Sequence, residues 1–191
     1  MKGLLYDKLM SRLERKMLHN ERYALLKNIE GKVLEIGAGT GVNFEFYSKN
    51  HVIAIDPDEK MIIEAGKKIN GKNIEIVLAS GERLPFNDNI FDTVVITLSL
   101  CTIPDPDKTL KEVKRVCKAN GKLLILEHIK NENKFLFFLQ NILTPMWKVF
   151  AMGCHLNRDT INTIEINNFE KIYLKYFFGR NFIRGSFKNI K

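Results

Sequence analysis

The chain has 191 residues, of which 45% are hydrophobic and 10% aromatic, and a net charge of +8. This length suits one domain with a sizeable core. The three cysteines are widely spaced and contain no C-x-x-C pair, which excludes a disulfide framework and a zinc site of the usual pattern. We therefore expect a cytoplasmic protein with reduced, mostly buried thiols, and a monomer.

The positive charge lies at the two ends of the chain. Residues 1–30 carry a net charge of +3 and residues 169–191 a net charge of +5, whereas the middle is neutral. Such basic ends suit an anionic surface or substrate, and peripheral contact with an anionic membrane is one interpretation. A solvated basic face with no partner is the other.

The N-terminal arm, residues 1–30, is predicted to be helical. Leu5, Leu9 and Leu13 lie at helical spacing, and Asn20 is a candidate N-cap. The apolar residues are interrupted by charges, so the pattern is not that of a signal peptide.

The next stretch joins an apolar run, residues 33–36, to the glycines Gly37, Gly39 and Gly41. This pattern predicts a buried strand, a tight turn that a ligand can approach closely, and a helix start. A second apolar run ends in Asp56, where a parallel strand would present a carboxylate to a ribose.

The charge of the glycine stretch distinguishes between adenosine cofactors. Val42 stands where a dinucleotide fingerprint needs its third glycine, so the register fits NAD poorly. Glu35 would repel a pyrophosphate but attract the ammonium and sulfonium charges of S-adenosylmethionine. The site is therefore predicted to prefer a cationic cofactor.

This combination resembles the class I S-adenosylmethionine-dependent methyltransferases, and the resemblance runs from residue 6 to the C-terminus. It implies an α/β fold: a single Rossmann-like domain over residues 1–191, with a seven-stranded, mostly parallel sheet and an antiparallel last strand. The cofactor-binding residues that it implies are Tyr6, Glu35, Gly37, Ala38, Gly39, Asp56, Pro57, Met61, Ser80, Gly81, Glu82, Thr97 and Leu98.

Three of these assignments keep an alternative. Tyr6 would close over the cofactor or simply pack, and Met61 would lie beside the adenine or fill the core. Many relatives carry an aspartate at the position of Ser80, so adenine recognition would fall to the backbone near Ser80 and Gly81. The pair of Gly81 and Glu82 resembles the thiol and phospholipid branch of the family.

The later elements follow from periodicity and caps. We predict a helix from Asp58 to Ile69, and a helix over residues 107–119 that Asp105 caps. Strands are predicted at residues 73–79, 91–98 and 122–127, a helix at 159–167, and a terminal hairpin at 170–178 and 182–188. The segment after the fourth strand lacks the Asp/Asn-Pro-Pro-aromatic motif of nucleic-acid amino methyltransferases, which counts against a nucleic-acid substrate.

Residues 135–153 are nearly all apolar or aromatic. Pro145 and several polar residues argue against a membrane span. We predict a helical lid with an apolar inner wall, within an insertion at 130–158; ordinary core packing of Phe137, Phe138, Trp147 and Phe150 is the alternative.

The predicted activity is methyl transfer to a small, lipophilic acceptor: a thiol, an amine, a phospholipid headgroup or a quinone. His128 and His155 are the candidate general bases if the acceptor arrives protonated, and each could instead be structural. A non-catalytic module that binds S-adenosylmethionine or another nucleoside is the alternative, and a dehydrogenase is a third.

Overall fold

The computed structural model of the chain describes residues 17–191, so Tyr6 and most of the predicted arm lie outside the described residues. The helices are α1 His19–Leu26, α2 Glu59–Gly66, α3 Pro106–Val116, α4 Lys134–Phe150 and α5 Thr160–Ile166. The strands are β1 Lys32–Ile36, β2 His51–Asp56, β3 Ile74–Leu78, β4 Phe91–Thr97, β5 Cys117–His128, β6 Phe169–Phe177 and β7 Phe182–Asn189.

The strands form one seven-stranded sheet in the order β3-β2-β1-β4-β5-β7-β6. Strands β1 to β5 are parallel to one another, and β7 pairs antiparallel with both β5 and β6. The predicted fold class, including the terminal hairpin, is confirmed.

Successive apolar side chains of the central strands point to opposite faces of the sheet and form a core on each face. In β5, Leu123 and Ile125 join one buried cluster, whereas Leu124 and Leu126 join the other. This is the period of two expected for a strand that is covered on both faces. The carboxyl ends of β1, β2 and β4 therefore sit at one edge of a rigid layer.

Two helices begin where their caps predict, although their ends differ from the prediction. The Asp58 side chain accepts the Lys60 N–H at 2.8 Å, and the Asp105 side chain accepts the Lys108 N–H at 2.9 Å. Helix α3 ends at Val116 rather than at residue 119, because the buried Cys117 already pairs with β4.

The predicted cap at Asn20 is wrong. Helix α1 begins at His19, so Asn20 lies inside the helix. Leu18 occupies the cap position, and no side chain caps the helix there. Leu18 is instead buried in the core, and residues 17–18 are also helical, so the helical chain does not begin at Asn20.

Helix α4 exists as predicted, but its inner face combines polar side chains with the half-buried Phe137 and Trp147. Its buried side chains are Gln140 and Thr144. The Gln140 amide accepts the Asn131 N–H at 2.8 Å and donates to the Ile129 carbonyl at 3.1 Å, which anchors the helix through hydrogen bonds. The inner face of α4 is therefore apolar only in part, and the role of this helix as a lid stays a prediction.

The apolar side chains of α4 face mostly outward. The exposed ones are Phe135, Leu136, Phe138, Leu139, Ile142, Leu143, Met146, Val149 and Phe150. The alternative of ordinary core packing is thus wrong for Phe138 and Phe150. Trp147 is half-buried against Cys101, Ala151 and Cys154.

Candidate functional site

A cleft of about 520 Å³ lies at the carboxyl ends of β1, β2 and β4. In open α/β sheets this is the edge where ligands bind. The turn after β1, the end of β2, the loop after β4 and the residues just after α4 all contribute to its walls.

The glycine turn after β1 has two different requirements for glycine. At Gly37 (φ +71°), an added Cβ would lie 2.4 Å from the Ser99 Cβ, so packing excludes a side chain. At Gly39 (φ +54°), an added Cβ would meet no atom within 4 Å. Gly39 lines the cleft, so the space that its missing side chain leaves is available to a ligand.

The Asp56 carboxylate organises both sides of the cleft mouth. Its Oδ2 accepts the Gly39 N–H at 2.9 Å, and its Oδ1 accepts the Asp58 N–H at 2.9 Å. Burial raises the pKa of Asp56 from its ordinary value, while these two backbone bonds act in the opposite direction. Each oxygen retains a lone pair that can accept from a ligand hydroxyl.

Glu35 lies in a buried polar network. Its Oε1 accepts from the Asn43 amide at 2.8 Å, and Asn43 also donates to the Thr97 hydroxyl at 2.9 Å. The Arg22 guanidinium, from α1, donates to the side-chain amide oxygen of Asn43 at 2.8 Å and to the Thr97 hydroxyl at 2.7 Å. Burial raises the pKa of Glu35 to about 7.

One atom of this network is left over. Glu35 Oε2 and the Tyr47 hydroxyl are both buried, and neither makes a hydrogen bond of regular geometry among the described residues, although Tyr47 lies close enough to lower the pKa of Glu35. Glu35 also lines the cleft. A buried acceptor without a donor is costly, and a cationic ligand group would supply one. Together with the open space at Gly39, this atom fits the ammonium-bearing methionine part of S-adenosylmethionine.

The loop after β4 is held by Glu127, a fully buried carboxylate. Its Oε1 accepts the N–H groups of Ser99 and Leu100, both at 2.9 Å, and its Oε2 accepts the Cys101 N–H at 3.3 Å. Burial raises the pKa of Glu127 to about 7, and the three backbone bonds partly oppose that shift. The loop continues into Ile103, which lines the cleft.

Most of the predicted cofactor residues come together in this cleft. Those that line it are Glu35, Gly37, Ala38, Gly39, Asp56, Pro57, Met61, Ser80, Gly81, Thr97 and Leu98. Their roles toward the cofactor stay predictions. Arg22 and Asn43 also line the cleft but were missed, and the only local signal was that Asn43 is a polar residue within an apolar run.

Glu82 does not line the cleft. Its carboxylate accepts the Asp105 N–H at 2.8 Å, just before α3. The Glu82 side chain therefore connects the loop after β3 to the residue that caps α3. The structure lends no support to the predicted cofactor contact through this side chain.

Neither candidate general base lines the cleft. His128 packs edge-on against Phe182 with ring centroids 5.1 Å apart, and burial lowers its pKa to about 4. The His155 ring lies 3.2 Å from the Cys101 carbonyl oxygen through Nδ1, and burial and Arg158 lower its pKa. Both are held by packing or backbone contacts, so their catalytic roles stay predictions without support from the geometry.

Among residues 17–191, no helix combines the length and the apolar content that crossing a bilayer requires. No group of three or more His, Cys, Asp or Glu side chains in this range is arranged to hold a metal ion.

Comparison with known proteins identifies the family. The family model described as "Methyltransferase domain" matches residues 34–125. Thiol S-methyltransferase TMT1B of Rattus norvegicus is 34% identical over 168 residues, which cover 82% of this chain and 69% of that protein. Thiol S-methyltransferase TMT1A of Homo sapiens is 31% identical over 180 residues, which cover 91% and 74%.

A solved structure agrees on the fold. Geranyl diphosphate C-methyltransferase from Streptomyces coelicolor, in complex with S-adenosyl-L-homocysteine, superposes with a TM-score of 0.74 at 10% identity, covering 97% of this chain and 83% of that one. At this identity the likeness concerns the fold alone, whereas the sequence relatives concern the family. The chain therefore belongs to the S-adenosylmethionine-dependent methyltransferases, and S-adenosylmethionine is its cofactor.

Proposed function

We propose that the chain transfers the cofactor's methyl group to a small, lipophilic acceptor, with a thiol as the first candidate. The observation that carries the lipophilic acceptor is the apolar wall of the cleft, formed by Ile103, Pro104, Ala151 and Met152. The choice of a thiol comes from the two relatives named as thiol S-methyltransferases. Amines, quinones and phospholipid headgroups are the alternatives.

The polar end of the cleft would hold the cofactor. Glu35, through its unpartnered oxygen, would accept from the methionine ammonium, and Asp56 would accept from the ribose hydroxyls. Met61 and the backbone at Ser80 and Gly81 would flank the adenine. When bound, the cofactor supplies a methyl group on a sulfonium, which is a good leaving group.

The chain's own contribution would be positioning. Glu127 holds residues 99–101 at the start of the loop after β4, and Ile103 follows in the same loop. Orientation of this kind contributes roughly 7 to 11 kcal/mol to rate enhancement. A thiol has an appreciable thiolate fraction at neutral pH, so it needs little help from a base. This agrees with a cleft that neither His128 nor His155 lines.

A turnover assay with a radiolabelled methyl donor tests the acceptor class. The panel pairs thiols, amines, quinones and phospholipids of short and long alkyl chain. We expect lipophilic thiols to be methylated fastest. Methylation of polar acceptors alone would overturn the lipophilic acceptor, and faster turnover of an amine or a quinone than of any thiol would overturn the thiol.

A pair of methionine variants locates the acceptor wall. Met152→Ser should lower kcat/KM for lipophilic acceptors roughly tenfold and leave cofactor affinity unchanged, because a buried apolar contact of this size contributes about 1 to 3 kcal/mol. Met146→Ser is the matched control, since Met146 on α4 is exposed to a similar degree (57% against 44% for Met152) but does not line the cleft. Equal effects of the two variants would contradict the placement.

We further propose that acceptors reach the cleft at an anionic membrane surface. Helix α4 exposes an apolar face, and Arg180, in the hairpin turn, is one of the basic residues that give residues 169–191 their charge of +5. The Asn131 amide donates to the Gly179 carbonyl at 2.8 Å, and the Gln140 amide to the Asn181 side chain at 3.3 Å, which places α4 beside the hairpin turn. Each basic residue near such a surface adds about 1 kcal/mol.

Flotation with phosphatidylserine-containing vesicles at low and high salt tests this second proposal. We expect binding at low salt that weakens at high salt. Ile142→Ser should reduce it, whereas Ile63→Ser should not, because Ile63 on α2 is equally exposed (57% against 58%) but lies on another element. No association at low salt, or equal loss in the two variants, would contradict it.

A further inference from the structure

Two cysteines meet beside the cleft. Cys101 follows β4 and Cys154 follows α4, and their sulfur atoms lie 3.4 Å apart. Both side chains are buried, with 2% of Cys101 and 8% of Cys154 exposed. A disulfide bond is about 2.05 Å long, so the sulfurs need to approach by only about 1.3 Å.

Backbone hydrogen bonds hold the two cysteines in place. The Cys101 N–H donates to Glu127 Oε2 at 3.3 Å, and the Cys101 carbonyl accepts the His155 N–H at 3.0 Å. The Cys154 N–H donates to the Ala151 carbonyl at 2.9 Å. The bond between His155 and Cys101 joins the two chain segments directly beside the sulfur atoms, which keeps the sulfurs adjacent.

The two thiols differ in reactivity. The hydrogen bond between the two thiols lowers the pKa of Cys154, with smaller contributions in the same direction from Trp147 and Arg158, while burial and the charge of Glu127 oppose them. The pKa of Cys101 is raised, first by the same hydrogen bond and then by burial. Cys154 is also the more exposed of the two side chains, so we assign it as the attacking sulfur in disulfide exchange and Cys101 as the resolving one.

The third cysteine cannot take part. Cys117 begins β5 and pairs with Phe91 at the start of β4, whereas Cys101 follows the end of β4. Cys117 therefore lies at the opposite edge of the sheet, which makes it an internal control.

We propose that Cys101 and Cys154 form a reversible redox site that low-molecular-weight disulfides oxidise. The Cys154 thiolate attacks one sulfur of the small disulfide, which releases one small thiol and leaves a mixed disulfide on Cys154. Cys101 then loses its proton and attacks the Cys154 sulfur, which releases the second small thiol. Two electrons and two protons pass from the cysteine pair to the small disulfide, which is reduced to two thiols.

The bond would tie two walls of the cleft together. Ala151 and Met152 precede Cys154, and Thr102 and Ile103 follow Cys101, and all four line the cleft. Oxidation therefore fixes the segment after α4 against the loop after β4. This inference concerns the cysteine pair itself and does not depend on which acceptor the enzyme uses.

Oxidation of the full chain with glutathione disulfide tests the proposal, with free thiols counted after denaturation and disulfides mapped in unreduced peptides. The three free thiols should fall to one, with Cys101 joined to Cys154. Cys117→Ser should form the same bridge. Cys154→Ser should keep its two thiols, and Cys101→Ser should retain glutathione on Cys154.

Two physical measurements accompany the mapping of the disulfide in peptides. The bridge spans 53 positions of the sequence, so oxidation should raise the melting temperature by roughly 5 to 15 °C in the wild-type chain and in Cys117→Ser. Amide hydrogen exchange at Ala151 and Cys154 should slow roughly tenfold. Both effects should reverse with dithiothreitol.

Several results would overturn the proposal. They are three thiols remaining in the wild-type chain, a bridge that contains Cys117, or a bridge that leaves the melting temperature and hydrogen exchange unchanged. Each serine variant is first checked for folding by its binding of S-adenosylhomocysteine. The peptide map of the wild-type chain needs no variant, so a misfolded variant does not obscure the result.

Discussion

Replacement of Asp56 tests the assignment of the cofactor site most directly. In Asp56→Ala the ribose hydroxyls would lose a charged acceptor, and a hydrogen bond to a charged group contributes about 1.5 to 3 kcal/mol. We therefore expect the dissociation constant of S-adenosylmethionine to rise roughly 10-fold to 150-fold. Because the carboxylate also accepts the N–H groups of Gly39 and Asp58, loosening of the turn places the result toward the upper end.

Asp56→Asn should give the lower end of this range. The asparagine side chain keeps one acceptor oxygen but loses the charge and one acceptor. Isothermal titration with S-adenosylmethionine and with S-adenosylhomocysteine measures both variants. The loss should be similar for the two ligands, since they share the ribose.

Asp105→Ala is the matched control. Its carboxylate also accepts a backbone N–H, from Lys108, but it lies outside the cleft. Loss of such a helix cap costs about 1 kcal/mol of stability, and cofactor affinity should not change. If Asp56→Ala remains folded and binds S-adenosylmethionine within twofold of the wild-type chain, the assignment of Asp56 to the ribose is refuted.

Three more predictions concern the same cleft. Gly39→Val should abolish cofactor binding in titration while the chain remains folded by circular dichroism, because its side chain would enter the open space of the cleft; retained micromolar binding would contradict this. Affinity for S-adenosylmethionine should rise between pH 5 and about 7, because Glu35 has a pKa of about 7 and the cationic ligand favours its ionised form, and Glu35→Gln should remove this dependence. The free energy of unfolding, measured with urea, should fall as the pH rises from 4.5 to about 7. Glu127 has a pKa of about 7 in the folded chain against 4.5 ordinarily, so between these two pH values the folded state binds a proton that the unfolded state has lost. Glu127→Gln should therefore make the free energy of unfolding depend less steeply on pH, and an unchanged dependence would contradict this.

Local signals were sufficient to predict the sheet and the glycine turn. Buried parallel strands read as apolar runs, as in residues 33–36 and β4, and Asp58 and Asp105 cap their helices through residues only two and three positions away. Such features depend on short stretches of sequence. The same holds for Asp56, whose position at the end of β2 follows from the strand itself.

The polar network around Glu35 could not be predicted in this way. Arg22 bonds Asn43 across 21 positions and Thr97 across 75, so the contacts exist only once α1, β1 and β4 have assembled. Glu127 likewise meets its three N–H donors across 26 to 28 positions. Sequence reasoning selected its neighbour His128 instead, since a histidine is the more familiar base.

Helix α4 shows a second kind of limit. Its composition predicted a helix, but composition does not state which face turns inward. Gln140 satisfies the backbone at Ile129 and Asn131, and an apolar side chain at that position would leave those groups buried without partners. Polar satisfaction, rather than hydrophobic burial, orients this helix.

The guanidinium of Arg22 gives α1 a thermodynamic link to the cofactor. Arg22 reaches Asn43 from α1, and Asn43 holds Glu35, so docking of the helix and the arrangement of the carboxylate are parts of one network. Linkage is reciprocal: if the docked helix increases cofactor affinity by some factor, bound cofactor favours the docked helix by the same factor. If the two are coupled in this way, cofactor occupancy is communicated to α1, and a partner that holds or displaces α1 would change the affinity for S-adenosylmethionine without entering the cleft.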